Sequence, residues 1–218
     1  MKRLTKLANL YGTDKGSKCG DAHHYTEFYE QFLEKYESPN ILELGTYEGA
    51  SAKMFLKFYD DDCRIWTCDI SENAKPYVEG LPNVTFIQLD LNDKDAISRV
   101  HDYFKENNIE FDIIIDDASH VWQHQMNALC GFHDLVKEDG IYIVEDLNYY
   151  LIYTDPENSP LYFINFLREN IMLTNEEYAE LKAKTKDVVI FSRKNETTEP
   201  MREMFGGRSI TSVITFEK

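Results

Sequence analysis

The 218-residue chain is short of positive charge, of paired cysteines and of long apolar runs. Lys and Arg number 23 against 39 Asp and Glu, a formal net charge of −16 at pH 7. A surface of that sign repels phosphate backbones and anionic lipid, so neither nucleic acid nor a membrane surface is expected as a partner. No apolar run approaches the roughly 18 residues of a membrane span. The opening MKRLTKLANL is basic, but the polar YGTDKGSKCG follows at once and leaves no apolar centre for a secretory signal. A cytoplasmic protein is therefore expected. Cys19, Cys63, Cys68 and Cys130 form no CxxC pair and sit among ordinary hydrophobic neighbours, which fits reduced thiols better than a disulfide framework or a zinc site. What is present, 43% hydrophobic and 28% charged residues, suits one compact α/β or α+β domain.

Between residues 40 and 146 short apolar runs alternate with helix-period stretches, the pattern of βαβ units around a parallel sheet. Five strands are expected: Asn40–Leu44, Arg64–Asp69, Val84–Leu89, Phe111–Asp116 and Gly140–Glu145. Helices are expected over about Ala50–Tyr59, after an Asp95 cap, and over about Val121–Val136. Two late strands, Asp187–Ser192 and Ser209–Phe216, flank a polar stretch with Gly206-Gly207 and read as an antiparallel pair at one edge. The fold class is thus α/β, a mostly parallel sheet with an antiparallel edge hairpin and helices on both faces. Residues 1–39 form an N-terminal helical cap in this reading, and residues 147–218 hold an aromatic lid or interface segment and the closing strands. Ligands belong at the carboxyl edge of such a sheet.

A dinucleotide glycine motif is also missing. ILELGTYEGAS runs from a strand into a helix with G-x-x-x-G spacing, and Tyr47 stands where a second glycine would let the backbone approach a pyrophosphate. NAD is disfavoured, and a smaller nucleoside-like ligand fits better. Glu43 is placed for a cationic amino group, Asp69 for two ribose hydroxyls and Asp90 for an adenine amino group. Taken singly each reads as an ordinary strand-end cap; taken together they point to a site.

The fourth and fifth strands end in Asp116-Asp117-Ala118-Ser119-His120 and Glu145-Asp146. If these strands are neighbours, about 4.8 Å apart, Asp117, Glu145 and Asp146 crowd one volume with like charges. A hard cation resolves that conflict, and an all-oxygen set suits Mg²⁺, Mn²⁺ or Ca²⁺ better than zinc. His120, three residues past Asp117, is placed to take a proton from a bound hydroxyl. The plainer alternative keeps Asp117 and Ser119 as helix caps. Asp116 reads as a strand-end or cofactor-side group, and His124 as a hydrogen-bonding or packing residue one turn beyond His120 on the same helix face.

Three segments, LANLYGTDKGS with HHYTEFYE, LELGTYEGAS, and IIIDDASHVWQHQ with YIVEDL, resemble the class I S-adenosylmethionine-dependent methyltransferases. Within these they are similar to the metal-dependent sugar O-methyltransferases of macrolide and related pathways. The likeness runs from Leu7 to about Tyr150. It implies a Rossmann-like methyltransferase sheet, Mg²⁺ or another hard divalent cation on Asp117, Glu145 and Asp146, and His120 as general base. It surrounds S-adenosylmethionine with Glu43, Gly45, Thr46, Tyr47, Gly49 and Ser51 from the loop. The strand ends add Asp69 with Ile70, Asp90 with Leu91, and Asp116.

Tyr11, Thr13, Asp14, Lys15, His23, Tyr25 and Thr26 also match the family pattern, either as a cap on the sheet or as a pocket wall. Ala118 and Leu89 depart from it, each standing where the family often has glycine. The implied acceptor is a small molecule, a sugar or nucleotide sugar. Tyr149, Tyr150, Tyr153, Tyr162, Phe163 and Phe166 suggest a homo-oligomer interface with a partial lid role. The rival readings are a catechol-like or phosphoramidate acceptor, a non-catalytic S-adenosylmethionine-binding partner protein, and an NAD-dependent dehydrogenase.

Overall fold

The computed structural model describes residues 1–18, 22–147, 164, 167, 176–194 and 208–217. Cys19, Gly206, Gly207 and the six aromatic residues expected at an interface lie outside the described residues.

Five parallel strands, β1 (Asn40–Leu44), β2 (Arg64–Asp69), β3 (Val84–Gln88), β4 (Phe111–Asp116) and β5 (Val136–Val144), run side by side in one sheet. Two antiparallel strands, β6 (Thr185–Lys194) and β7 (Arg208–Phe216), complete the order β3-β2-β1-β4-β5-β7-β6. The expected edge pair is there, with β7 inserted between β5 and β6.

The strands are apolar because both faces are covered. Along β4, Ile113 and Ile115 point into a core shared with α1 (Arg3–Tyr11), α2 (Tyr25–Leu33) and α3 (Ala50–Phe58). Ile114 points the other way, into a core that receives Ile97 and Phe104 of α4 (Lys94–Glu106), Leu129 and Phe132 of α5 (Trp122–Phe132), and Leu181 of α6 (Glu176–Lys184). Burying one such aliphatic side chain is worth about 1.5–3 kcal/mol, so the alternation fixes the strand register.

Three local expectations need correction. Asp93, not Asp95, caps α4: its carboxylate accepts from the Asp95 and Ala96 amides at 2.9 and 3.0 Å. The helix expected over Val121–Val136 ends at Phe132, followed by a 3-10 turn at His133–Leu135, and Val136 already belongs to β5. His120 precedes α5 in a left-handed conformation, φ +56°, and so does not share a helix face with His124.

The chain enters the sheet at β1 and builds outward to β3 before returning to β4 on the other side. The ends of β1 and β4 therefore diverge at a topological switch point, where open α/β sheets bind ligands. Register sets Leu44 beside Asp116 and Asp116 beside Val144. The Asp117 amide donates to Leu44 O and the Glu145 amide to Asp116 O, both at 2.9 Å, so three strand ends meet there.

Candidate functional site

A cavity of about 890 Å³ opens at this edge. On its β1–β3 side Gly45 has φ +102°, and a Cβ there would lie 2.1 Å from Asp117 O, so only glycine lets the loop cross the end of β4. Tyr47 follows with φ +45° and is 78% exposed. Asp69 ties this loop to β2: one carboxylate oxygen accepts from the Thr46 and Tyr47 amides at 3.2 and 3.0 Å, and the other from the Ser71 amide at 2.9 Å. Asp90 accepts from the Asn92 amide at 2.8 Å. Gly45, Thr46, Tyr47, Ser51, Asp69 and Asp90 line the cavity, as do the apolar Ile70 and Leu91.

Glu43, Gly49 and Asp116 stand behind that lining. Gly49 is the left-handed residue before α3, φ +66°. Glu43 is fully buried and accepts from Thr67 Oγ1 at 3.3 Å, while its second oxygen has no partner among the described residues. Burial pushes its carboxyl up to about 7, and burial does the same for Asp116. Asp116 keeps one weak contact, from the Ala118 amide at 3.4 Å.

On the β4–β5 side Glu145 and Asp146 are buried and Asp117 is half-buried, and charged or hydroxyl side chains answer all three. His120 Nε2 lies 3.2 Å from Asp117 Oδ1 and 3.5 Å from Asp146 Oδ2. These three residues each offer one ligand atom, all within 4.8 Å of one another. Asp146, like His120, has positive φ, +51°, a backbone strain that concentrates where side chains are aimed for function. Glu145 stands outside that trio. Its Oε2 pairs with Lys15 Nζ at 3.1 Å, its Oε1 is buried without a partner among the described residues, and Gln125 donates to its backbone carbonyl at 2.8 Å.

Lys15 also pairs with Asp117 Oδ2. It is 1% exposed, and it comes from the segment between α1 and α2. Tyr25 donates to Asp146 Oδ1 at 2.7 Å, and His23 Nδ1 lies 3.6 Å from the same oxygen. Helices α1 and α2 pack on one face of the sheet, and Thr13, Asp14 and Lys15 line the cavity.

The electrostatics follow from this packing. Burial alone would discharge Lys15, but Asp117 and Glu145 outweigh it and hold the ammonium well above its ordinary range. Burial works against the Asp117 anion, yet Lys15 and His120 keep its carboxyl below the usual range. Glu145 is driven upward by burial and by Asp117, more than Lys15 can offset. Burial favours neutral His120, but the Asp117 hydrogen bond and the Asp146 charge raise it to about 9.

Sequence reasoning left the roles of Lys15 and Tyr25 open. Their partners are 102, 130 and 121 residues away, and no local spacing reports such contacts. The signal available was the YGTDKG and HHYTEFYE pattern itself. Ser119 meets His124 Nδ1 at 2.8 Å, and α5 begins without a side-chain cap.

Residues 42–147 match a family model described as a methyltransferase domain. The chain is 28% identical over 153 residues to mycinamicin VI 2''-O-methyltransferase of Micromonospora griseorubida, a match covering 66% of this chain and 36% of that protein. It is 30% identical over 155 residues to 8-demethyl-8-(2-methoxy-alpha-L-rhamnosyl)-tetracenomycin-C 3'-O-methyltransferase of Streptomyces olivaceus, again 66% and 36%. The MycE methyltransferase of the mycinamycin biosynthetic pathway, solved with Mg, SAH and mycinamycin VI, has the same fold. Its TM-score is 0.74 at 20% identity, over 100% of this chain and 54% of that one. The matched segment thus spans only 36% of either curated relative.

Proposed function

We propose, from the match of residues 42–147 to a methyltransferase-domain model and from the geometry of the cavity, that the chain is an S-adenosylmethionine-dependent O-methyltransferase assisted by a hard divalent cation. The acceptor in this reading is a hydroxyl of a sugar-bearing small molecule. The observation that carries it is one cavity walled on one side by the Gly45 loop with Asp69 and Asp90, and on the other by Asp117 and His120, with Asp146 behind them.

The residues present fit both groups. The buried, partnerless Glu145 Oε1 and the converging Asp117, Asp146 and His120 atoms are a donor set for a cation. The cavity wall formed by the Gly45 loop with Asp69, Ile70, Asp90 and Leu91 offers acceptor carboxylates beside apolar side chains, a lining that suits a nucleoside. S-adenosylmethionine would supply an electrophilic methyl on sulfur, and the cation would lower the pKa of the acceptor hydroxyl. Asp69 and Asp90 would receive hydroxyl and amino donors of the nucleoside, with Ile70 and Leu91 beside the base. Asp117, Glu145 and Asp146 would hold the cation. His120 would take the hydroxyl proton at Nε2 in its neutral form, which is favoured once the Asp117 and Asp146 charges that raise it to about 9 are shared with a cation. General-base assistance of this kind is worth about 10²–10⁴ in rate.

The sugar acceptor is supported by the names of the relatives, which include a rhamnosyl-bearing tetracenomycin substrate. Calorimetric titration with S-adenosylmethionine and with NAD⁺, each with and without Mg²⁺, tests the cofactor. S-adenosylmethionine alone is expected to bind, and a folded sample that binds neither removes the assignment. EDTA is expected to abolish turnover, and His120→Ala to lower it by about 10²-fold or more with cofactor binding intact. An acceptor panel separates glycosides from catechol-like diols and phosphoramidates.

A second reading makes His120 a cation ligand, because Nε2 is the atom that converges with the two carboxylates. His120→Ala then weakens Mg²⁺ binding itself, whereas loss of a base leaves that affinity in place.

A further inference from the structure

The three acids of the cluster divide their oxygens. Asp117 Oδ2 and Glu145 Oε2 face Lys15, and Asp146 Oδ1 faces Tyr25. Asp117 Oδ1 and Asp146 Oδ2 face inward toward His120, and Glu145 Oε1 is left without a partner among the described residues. Lys15 therefore does not occupy the oxygens that converge; it holds the outer ones. With a cation in place and His120 neutral, the carboxylates of Asp117, Glu145 and Asp146 together with the Lys15 ammonium would carry two formal negative charges, the charge that one divalent ion cancels.

We propose that Lys15 is the built-in cation of this cluster: it aims Asp117 and Glu145 and sets the site's charge to match a divalent rather than a trivalent ion. The assignment rests on the cation reading above and gives a positioning role to the YGTDKG segment, whose lysine pairs with Asp117 Oδ2 and Glu145 Oε2. A lysine that only filled space would leave ion preference unchanged when replaced by an apolar side chain of similar length. A lysine that supplies charge would not, because its removal leaves three negative charges facing the ion, and attraction scales with the product of charges.

The experiment is titration of wild type, Lys15→Met and Lys15→Arg with Mg²⁺ and, separately, with Tb³⁺ followed by its luminescence. Wild type is expected to bind one Mg²⁺ per chain. Lys15→Met is expected to raise the ratio of Tb³⁺ to Mg²⁺ affinity by at least about tenfold, and Lys15→Arg to keep the wild-type ratio. An unchanged ratio in Lys15→Met overturns the proposal. Should Lys15→Met fail to fold, the double variant Lys15→Met/Glu145→Gln restores the formal charge of the cluster. Recovery of folding supports the charge role, and failure of the double variant as well overturns it. Wild type that binds neither ion removes the cation reading itself, and the role of Lys15 falls with it, an outcome distinct from equal ratios in two ion-binding proteins.

Discussion

The two ends of the cavity hold acids in opposite ways. At the β2 and β3 ends, Asp69 and Asp90 are half-buried, and their carboxylates accept from backbone amides, Asp69 from Ser71 and from Thr46 and Tyr47 of the Gly45 loop, Asp90 from Asn92. At the β4 and β5 ends, Glu145 and Asp146 are buried, and side chains from the N-terminal segment answer them: Lys15, Tyr25 and His23. A solvated carboxylate needs little help to stay charged, whereas a buried one needs a paired charge or a full set of hydrogen bonds. The open end can therefore exchange loop contacts for ligand contacts cheaply. The buried end is a fixed electrostatic device, and changes there propagate into folding and ion preference.

Gly45 is the seam between the two ends, and breaking it gives the largest effect. Gly45→Ala must place a Cβ 2.1 Å from a backbone oxygen of Asp117 at a φ of +102°, and backbone cannot swing aside as a side chain would. We expect a loss of about 2–4 kcal/mol in denaturant unfolding, with loss of S-adenosylmethionine binding. Wild-type stability in this variant would mean that the ends of β1 and β4 do not meet as described.

Glu43 lies beneath the loop on the open side but is buried like the acids opposite, so it tests whether burial or position governs behaviour. Burial raises its folded-state carboxyl from 4.5 to about 7. The folded state then holds a proton that the unfolded state releases between those values, so this group's contribution to stability is greatest below 4.5. That contribution falls as pH rises through the window and is fully lost above about 7. Glu43→Gln removes the titration and is expected to stabilise the protein by roughly 2–3 kcal/mol at pH 8, with no gain below pH 4. Melting curves at the two pH values check this; an equal effect at both would show that desolvation is not what Glu43 suffers.

The same contrast explains what was legible in the sequence. Asn40–Leu44, Arg64–Asp69 and Phe111–Asp116 were readable to the residue, because a strand covered on both faces leaves a short apolar run ended by an acid. Asp69 and Asp90 were readable for a related reason, since they sit at strand ends that follow from local pattern, whereas Thr46 and Tyr47 came only with the family resemblance; all four line the cavity. The cap of α4 was misplaced by two residues because Asp93 and Asp95 are both plausible caps, and only the amide geometry chooses Asp93. His120 reads as helical because it stands four residues before His124, one helical turn; the structure instead gives it a left-handed φ of +56° ahead of α5. Lys15 lay beyond local reasoning altogether, since a lysine in a polar loop looks solvated until the fold brings two acids to it.

The smallest expected effect gives the finest test of how separate the two ends are. Asp69→Asn keeps the shape of the side chain and one acceptor oxygen for the Thr46 and Tyr47 amides, so the loop retains a tether. What is lost is a charged acceptor for ligand hydroxyls, a difference of about 1–1.5 kcal/mol, or roughly a tenfold rise in the Kd for S-adenosylmethionine. Unfolding midpoints should shift little, because Asp69 is half-buried and a residual hydrogen bond remains. The informative readout is Mg²⁺ affinity measured on the same variant. If the open end exchanges partners without disturbing the buried one, that affinity stays at its wild-type value while cofactor affinity falls. A parallel fall in both would mean that the Gly45 loop transmits strain through Asp117, whose backbone it touches, and the cavity would then have to be treated as a single coupled site.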